Sequence, residues 1–203
     1  MAVEIFIARH GQDEDNANGT LNGHRDRPLT ELGVAQAKQT AQGISKLGLK
    51  FDAVYTSPLI RAAETARLIC HTLGLPGPAV MPELIERDFG AMTGVNQSEI
   101  KARCAPDIIE TETVTWFLSP KGAETHPDLI ERGQRILAQV RAKHKGGKVL
   151  LVCHGDIGKM IYAAATGQDW EDVLTGFHFG NGDLIDVEPD GDAHKIQLAQ
   201  ANH

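Results

Sequence analysis

Along the chain, short apolar runs of strand length alternate with longer stretches whose apolar residues recur every three or four positions. Val3-Glu4-Ile5-Phe6-Ile7-Ala8 is the first such run, and its β-branched content predicts a buried strand. Thr30 is placed to cap a helix in which Val34, Ala37, Ala41, Ile44 and Leu47 keep helical spacing until Gly48 ends it. Residues 51–55 read as a second strand, and Thr56-Ser57-Pro58 turns the chain into a helix carrying Arg61, Glu64 and Arg67 beside Leu68 and Ile69. After a loop at Pro76 to Pro78, residues 79–84 predict a short strand. A cleaner helix is expected over 128–144, stopped by Gly146-Gly147. Residues 148–153 form a continuous apolar strand, the pattern of a sheet centre covered on both faces, and a helix with Met160, Ile161, Ala164 and Ala165 follows. Two alternating runs, 183–188 and 194–198, flank Pro189-Asp190-Gly191 and predict a terminal β-hairpin. Strands alternating with helices imply an α/β three-layer sandwich, with a mostly parallel sheet, helices on both faces and a C-terminal β-hairpin.

Two stretches lack this regularity. Residues 12–28 are polar and turn-rich and read as a loop, long enough for a functional role, leaving directly from Arg9-His10-Gly11. Residues 97–125 are interrupted by Pro106 and Pro120 and are expected to form an insertion of short helices over one end of the sheet.

Bulk properties narrow the function classes. With 203 residues and 41% apolar composition, the chain suits one large α/β domain over residues 1–203. No run of about 18 apolar residues occurs, and the first residues lack a signal-peptide pattern, so a cytoplasmic protein without a membrane association is expected. Cys70, Cys104 and Cys153 are widely spaced and odd in number, which fits reduced, buried thiols rather than disulfides or a thiolate metal site. The net charge of −7 and the lack of a Lys/Arg-rich run argue against nucleic acid as a partner. The nine histidines match no metal-ligand spacing, so neither metal nor cofactor is expected. Any anion site must therefore be local.

Polar groups gather where strands run out, which is where open α/β sheets hold ligands. Arg9-His10-Gly11 offers a nitrogen nucleophile, a guanidinium fork for phosphate oxygens, and a turn that a ligand can approach closely. His154-Gly155 repeats the device after the 148–153 strand, and Arg61 opens the helix after the 51–55 strand. Glu86 lies in the charged cluster Ile85-Glu86-Arg87-Asp88-Phe89-Gly90. Together these parts suffice for phosphoryl transfer: His10 attacks phosphorus, Arg9, Arg61 and His154 neutralise the oxygens, and Glu86 protonates the leaving alkoxide. Plainer readings exist for each. Arg61 with Glu64 could be a surface ion pair, His154 a buried histidine satisfied by a carbonyl, and Glu86 with Arg87 ordinary solvated charge.

The residues carry a resemblance that bears on this choice. Arg9-His10-Gly11 with Asn16, Gly23 through Asp26-Arg27-Pro28-Leu29-Thr30, and Gly33 with Gln36-Ala37 resemble the signature of the histidine phosphatase superfamily, in its phosphoglycerate mutase-like branch. Ser57-Pro58-Leu59-Ile60-Arg61-Ala62, Glu86-Arg87-Asp88-Phe89-Gly90, Lys121-Gly122-Ala123-Glu124 and Val152-Cys153-His154-Gly155 match in the family's order, over nearly the whole chain. The resemblance implies that His10 is phosphorylated during turnover, that Arg9, Arg61 and His154 hold the phosphoryl group, and that Glu86 is the proton donor. It also implies phosphate or substrate contacts at Asn16, Asn22, Gly23, Arg87 and Gly155. The implied ligand is a small-molecule phosphate ester, and a homodimer is compatible with the sequence.

Two departures modify the expectation. Asp13 stands where the family usually carries threonine or serine, so the phosphate end should be more acidic or less hydrogen-bonded than usual. The mutases carry a basic residue shortly after the Glu-Arg cluster and then an adjacent arginine pair that grips a carboxylate. Here the first position falls on Gln97, and no two arginines are adjacent. A metal-independent phosphomonoesterase is thus the leading expectation, with a cofactor-dependent phosphoglycerate mutase second and a non-catalytic phospho-ligand binder third.

Overall fold

The computed structural model describes residues 2–187 and the backbone of the short strand at 195–196. The chain begins with β1 (Glu4–Arg9), a single-turn helix α1 (Glu14–Ala17), α2 (Glu31–Lys46), β2 (Ala53–Thr56), α3 (Ile60–Leu73) and β3 (Ala79–Val80). Next come α4 (Ile100–Cys104), the hairpin of β4 (Ile108–Glu110) and β5 (Thr115–Phe117), and the long helix α5 (His126–Lys143). It ends with β6 (Lys148–Cys153), α6 (Gly155–Thr166), α7 (Trp170–Gly176), β7 (Leu184–Asp186) and β8 (Lys195–Ile196). The main sheet has the order β3-β2-β6-β1-β7-β8. Its first four strands are parallel, and β7 and β8 join antiparallel. The expected terminal hairpin pairs Leu184 with Ile196, while its turn at Pro189-Asp190-Gly191 lies outside the described residues.

Strand alternation divides the core in two. Ile5 and Ile7 of β1 pack with Leu129, Ile136, Met160 and Ile161 of α5 and α6, whereas Phe6 and Ala8 pack with Ala41 and Ile44 of α2 and Ala66 and Ile69 of α3. Helices therefore cover both faces, and the central strands β1 and β6 are buried on both sides, as their continuous apolar runs require. Among the described residues, no helix is long and apolar enough to cross a membrane.

Several elements differ from the pattern. The 12–28 loop contains α1, because the Asp13 carboxylate caps it by accepting from the Asn16 N–H at 2.8 Å. Leu47 does not face the core: it is the C-cap of α2 and 51% exposed. The strand expected over 79–84 stops at Val80, since Pro82 opens a short 3-10 turn through Leu84. The 97–125 insertion is only partly helical. Its Ile108-Ile109 and Trp116-Phe117 pairs form the β4–β5 hairpin, as β-branched and aromatic residues favour. Leu21, Phe89, Met92, Ile100, Cys104 and Phe117 make a separate small core that fixes this cap. Helix α5 starts two residues early, at His126, because Thr125 and Asp128 form a reciprocal capping box.

Candidate active site

Strand pairing brings the two His-Gly turns together. β1 and β6 are parallel neighbours with Arg9 opposite Cys153, so both chains leave the sheet at the same edge. The His10 N–H donates to the Cys153 carbonyl at 3.0 Å, and the His10 and His154 ring centroids are 4.9 Å apart. β2 flanks β6 on the other side, and Ser57 N donates to the Val152 carbonyl, which adds the turn leading to Arg61. The turn after β1 sits directly against the start of α2. A Cβ on Gly11 would overlap the Gly33 carbonyl, and one on Gly33 would overlap the Gln12 carbonyl, so this contact requires glycine on both sides.

Arg61 is the hub of the site. Its side chain is fully buried, so the surface ion pair with Glu64 is not its role. Nη1 and Nη2 donate to the carbonyls of Arg25 and Gly23 at 2.7 and 2.9 Å. Nε faces three acceptors: His10 Nε2 at 3.3 Å, His154 Nδ1 at 3.2 Å and Asp13 Oδ2 at 3.2 Å. Asp26 holds the helix that carries this arginine, its carboxylate accepting from the Ile60 N–H at 2.7 Å. Gly23, expected as a phosphate contact, supports Arg61 through its carbonyl, in a left-handed turn (φ 49°) packed under the Phe89 ring.

The two histidines are held neutral. Burial lowers His10 well below 6.5, and the Arg61 and Arg9 charges lower it further. Burial and then Arg61 and His10 do the same to His154. A neutral ring donates from one nitrogen and accepts at the other. Since the Gly11 carbonyl is 2.7 Å from His10 Nδ1, the proton is assigned there and Nε2 carries the lone pair. By the same logic His154 donates from Nε2 to Ser57 Oγ at 2.7 Å, and Nδ1 accepts from Arg61.

Around this pair, Arg9 Nη1 donates to the Phe179 carbonyl at 2.6 Å, while its buried Nε has no hydrogen-bond partner among the described residues. Asn181 Nδ2 donates to the His10 carbonyl and to Asn16 Oδ1, at 3.1 and 3.0 Å. Asn22 Nδ2 donates to Asp13 Oδ2 at 2.7 Å. Asp13 itself is wholly buried, its carboxyl pushed up by burial against the pull of the Asn16 N–H, Arg61 and Asn22. Phe179 and Asn181 were missed by sequence reasoning. The available signal was the hairpin: a strand antiparallel to β1 must begin where β1 ends, so the residues ahead of β7 fall beside His10.

Glu86 reaches the same edge from the chain after β3. Its side chain is buried at the N-terminus of α6, Oε1 accepting from the N–H groups of Arg87 and Ile157 at 2.9 and 3.1 Å. Oε2 has only a longer contact, 3.4 Å, from the Asp156 N–H. Burial raises its pKa above the ordinary 4.5, the Asp156 charge adds to the rise, and the two N–H bonds oppose it. Arg132 fixes the segment by donating to the carbonyls of Glu83, Ile85 and Glu86, and it is held by both carboxylate oxygens of Glu124, in the Lys121-Gly122-Ala123-Glu124 stretch. Arg87, expected as a phosphate contact, lines the cavity and is also held within the protein. Its donors go to the Phe117 and Leu118 carbonyls, its guanidinium stacks on Phe117 at 4.3 Å, and Nε lies 2.9 Å from Asp156 Oδ2.

A cavity of about 500 Å³ opens beside Arg9 and Glu86, while the buried His10, Arg61 and His154 are not among its lining residues. Arg9, Asn16, Asn22, Glu86 and Gly155 line one end, and Gln97, Trp116 and Lys159 line the cap side. Among the described residues, no group of three or more His, Cys, Asp or Glu side chains is arranged to hold a metal ion. The arrangement offers an unprotonated imidazole nitrogen beside two guanidinium groups, with a carboxyl biased towards its acid form near by. Those are the parts of a nucleophilic phosphoryl transfer.

Known proteins resemble the chain in sequence and in fold. The model of the histidine phosphatase superfamily (branch 1) matches residues 5–202. A 2,3-bisphosphoglycerate-dependent phosphoglycerate mutase of Methylobacterium sp. (strain 4-46) is 32% identical over 176 residues, covering 83% of each chain. The enzyme of that name from Methylobacterium radiotolerans is 35% identical over 159 residues, 75% of this chain and 74% of the other. The structure of mycobacterial glucosyl-3-phosphoglycerate phosphatase superposes with a TM-score of 0.76 at 25% identity, covering 92% of this chain and 90% of that one. A phosphoserine phosphatase of Entamoeba histolytica shares the fold, with a TM-score of 0.79 at 22% identity over 98% of this chain and 100% of the other.

Proposed function

The chain belongs to the histidine phosphatase superfamily, and from that membership we propose that it is a metal-independent phosphomonoesterase working through a phosphohistidine on His10. The observation that carries the reading is the tautomer of His10: Nδ1 is tied to the Gly11 carbonyl, which leaves the Nε2 lone pair beside Arg61. In the first step Nε2 forms a bond to phosphorus as the ester P–O bond breaks, and Glu86 gives its proton to the departing alkoxide. Arg9 and Arg61 meet the phosphoryl oxygens, His154 supports them by accepting from Arg61 Nε, and the Nε of Arg9, unpartnered among the described residues, is a donor in reserve for the phosphate. In the second step the Glu86 carboxylate takes a proton from water, the water oxygen bonds to phosphorus, the P–N bond breaks, and inorganic phosphate leaves. Asn16, Asn22 and Gly155, which line the cavity, complete the phosphate end. The substrate is a small phosphorylated metabolite, in keeping with the phosphatase activity that the mycobacterial neighbour's name states.

The curated relatives named above support a second reading, a bisphosphoglycerate-dependent phosphoglycerate mutase. Against it stand Gln97 on the cap side and the commitment of Arg87 to Asp156 and two carbonyls, which leave that side without a guanidinium fork. Incubation with 3-phosphoglycerate separates the two. Release of inorganic phosphate supports the phosphatase, and formation of 2-phosphoglycerate replaces it with the mutase. Hydrolysis of nitrophenyl phosphate by the wild-type protein is the basal test, and its absence would overturn the hydrolase reading.

A further inference from the structure

The turn that leads into β7 lies across the end of β1 and meets groups at the phosphate end. The Phe179 carbonyl accepts from Arg9 Nη1 at 2.6 Å, and the Gly182 N–H donates to the carbonyls of Arg9 and His10, both at 3.2 Å. On the other side, the Thr40 hydroxyl of α2 donates to the Gly182 carbonyl at 2.7 Å, and the Asp183 carboxylate accepts from the Gly180 N–H at 2.6 Å. Gly182 is in the left-handed region (φ 79°), and a Cβ there would come within 3.2 Å of Thr40 Oγ1, so the turn calls for glycine. Asn181 stands between these fixed points on a well-held support.

Its carboxamide transmits a hydrogen-bond polarity. One end of it lies 3.1 Å from the His10 carbonyl and 3.0 Å from the carboxamide of Asn16. A carbonyl can only accept, so the group facing His10 is the Asn181 NH2. The second hydrogen of that nitrogen meets Asn16, so the Asn16 atom there is the oxygen. The Asn16 NH2 then lies on the opposite side of the same planar group, with no hydrogen-bond partner among the described residues. Asn16 lines the cavity at the end shared with Arg9, Asn22 and Glu86, which leaves that NH2 for a ligand. Resting on the proposed phosphoryl site, we infer that Asn181 is a positioning residue: it holds the Asn16 carboxamide with its NH2 towards the phosphate end, as a donor to the phosphoryl group. The single turn of α1 does not make this choice, because its own link to the site runs through the Asn16 backbone N–H, which donates to Asp13 at 2.8 Å. An unfixed carboxamide turns over with little change in shape, and its oxygen would then face a phosphoryl group bearing close to two negative charges. A donor already aimed leaves nothing to reorganise when that charge arrives.

The test is the affinity for inorganic phosphate, read calorimetrically on the full-length protein in a double-substitution cycle of Asn181 with Asn16. Asn181→Asp supplies only acceptors, so Asn16 must turn its NH2 away from the cavity. Phosphate binding should weaken by about tenfold or more, the size of one hydrogen bond to a charged group. Asn181→Ala frees the carboxamide without inverting it and should weaken binding by only about threefold. With Asn16→Ala already in place, Asn181→Asp should change the affinity by less than about threefold, because the group it acts through is gone. A merely structural role, or the bare charge of the aspartate, would weaken binding equally in both backgrounds. That result would overturn the assignment, as would wild-type affinity in Asn181→Asp. A measurement on the wild type does not depend on any Asn181 variant folding. In proton–nitrogen correlation spectra the Asn16 NH2 pair, identified by its loss in Asn16→Ala, should shift on addition of phosphate, and an unmoved pair would also overturn the assignment. If these results fail while nitrophenyl phosphate is still hydrolysed, the inference falls alone, whereas absence of that hydrolysis falls on the phosphatase reading.

Discussion

Replacing Glu86 by glutamine isolates its proton with little other change. In the structure Oε1 takes the N–H groups of Arg87 and Ile157, while Oε2 has only the 3.4 Å contact with the Asp156 N–H. A glutamine can keep its carbonyl where Oε1 sits, so the N-terminus of α6 stays capped and only the acid is lost. General acid catalysis contributes about 10² to 10⁴ in rate, or roughly 2.7 to 5.4 kcal/mol of barrier. That full loss is expected for an alkyl phosphate, whose alkoxide cannot leave unprotonated. Nitrophenolate is a stable leaving group, so formation of the phosphohistidine from nitrophenyl phosphate should slow by less than about fivefold. Rapid-quench measurement of the first step with both substrates is the assay. Equal losses on the two would refute the proton-donor role and leave Asp156 as the next candidate.

The same substitution carries a second, opposite expectation. The folded protein holds the Glu86 pKa above 4.5, so folding favours the protonated carboxyl. Stability attached to this group is complete below pH 4.5 and is lost as pH rises through the folded-state value. Glutamine cannot ionise and escapes that loss. Glu86→Gln should therefore match the wild type in thermal midpoint at pH 4 and exceed it at pH 8, while being the poorer enzyme. A variant that is less stable at pH 8 would contradict the burial argument even if its kinetics behaved as expected.

The remaining predictions are briefer. His10→Ala should abolish incorporation of a phosphoryl group, read by mass spectrometry of acid-sensitive phosphoprotein, and wild-type hydrolysis by this variant would remove His10 as nucleophile. Asp13→Asn should tighten inhibition by inorganic phosphate about tenfold or more, because the amide no longer competes for Arg61 from 3.2 Å away; weaker inhibition would show that Asp13 assists binding instead. Activity should survive EDTA, since guanidinium groups supply the positive charge, and a loss restored by a divalent ion would reopen metal chemistry.

The parts of the site borne by regular elements were legible in the sequence. β1 and β6 announce themselves as continuous apolar runs, and their shared parallel register brings His10 to His154 without further information. What stayed hidden depended on irregular chain. The Asp13–Arg61 contact needs the single turn of α1, too short for any periodicity to reveal. The β4–β5 hairpin has three residues per strand, below the length at which alternation can be recognised. Glu86 and Arg87 are adjacent in the sequence, yet successive residues of extended chain point to opposite sides. Glu86 therefore turns to α6 while Arg87 turns to Phe117. Asn181 enters from a turn whose position follows only from the antiparallel pairing of β7.

The charge balance of the phosphate end bears on the choice between hydrolysis and mutation. Both histidines are kept neutral, Glu86 is biased towards its acid form, and Asp13 sets a carboxylate against Arg61. Among the described residues, Arg9 is then a cation at that end without an ion-paired carboxylate, against a phosphoryl group that carries close to two negative charges. On the proposed phosphatase reading, a pocket so balanced favours release of phosphate after transfer, because part of the attraction of Arg61 is already spent on Asp13. A mutase has the contrary need, since its bisphosphorylated intermediate must stay bound while it reorients, and two strong anion sites serve that end. The cap side offers the single ammonium of Lys159 in place of a second strong site. One weakened phosphate site and one monovalent cation suit an enzyme that binds its substrate in one orientation, cleaves it, and lets both products go.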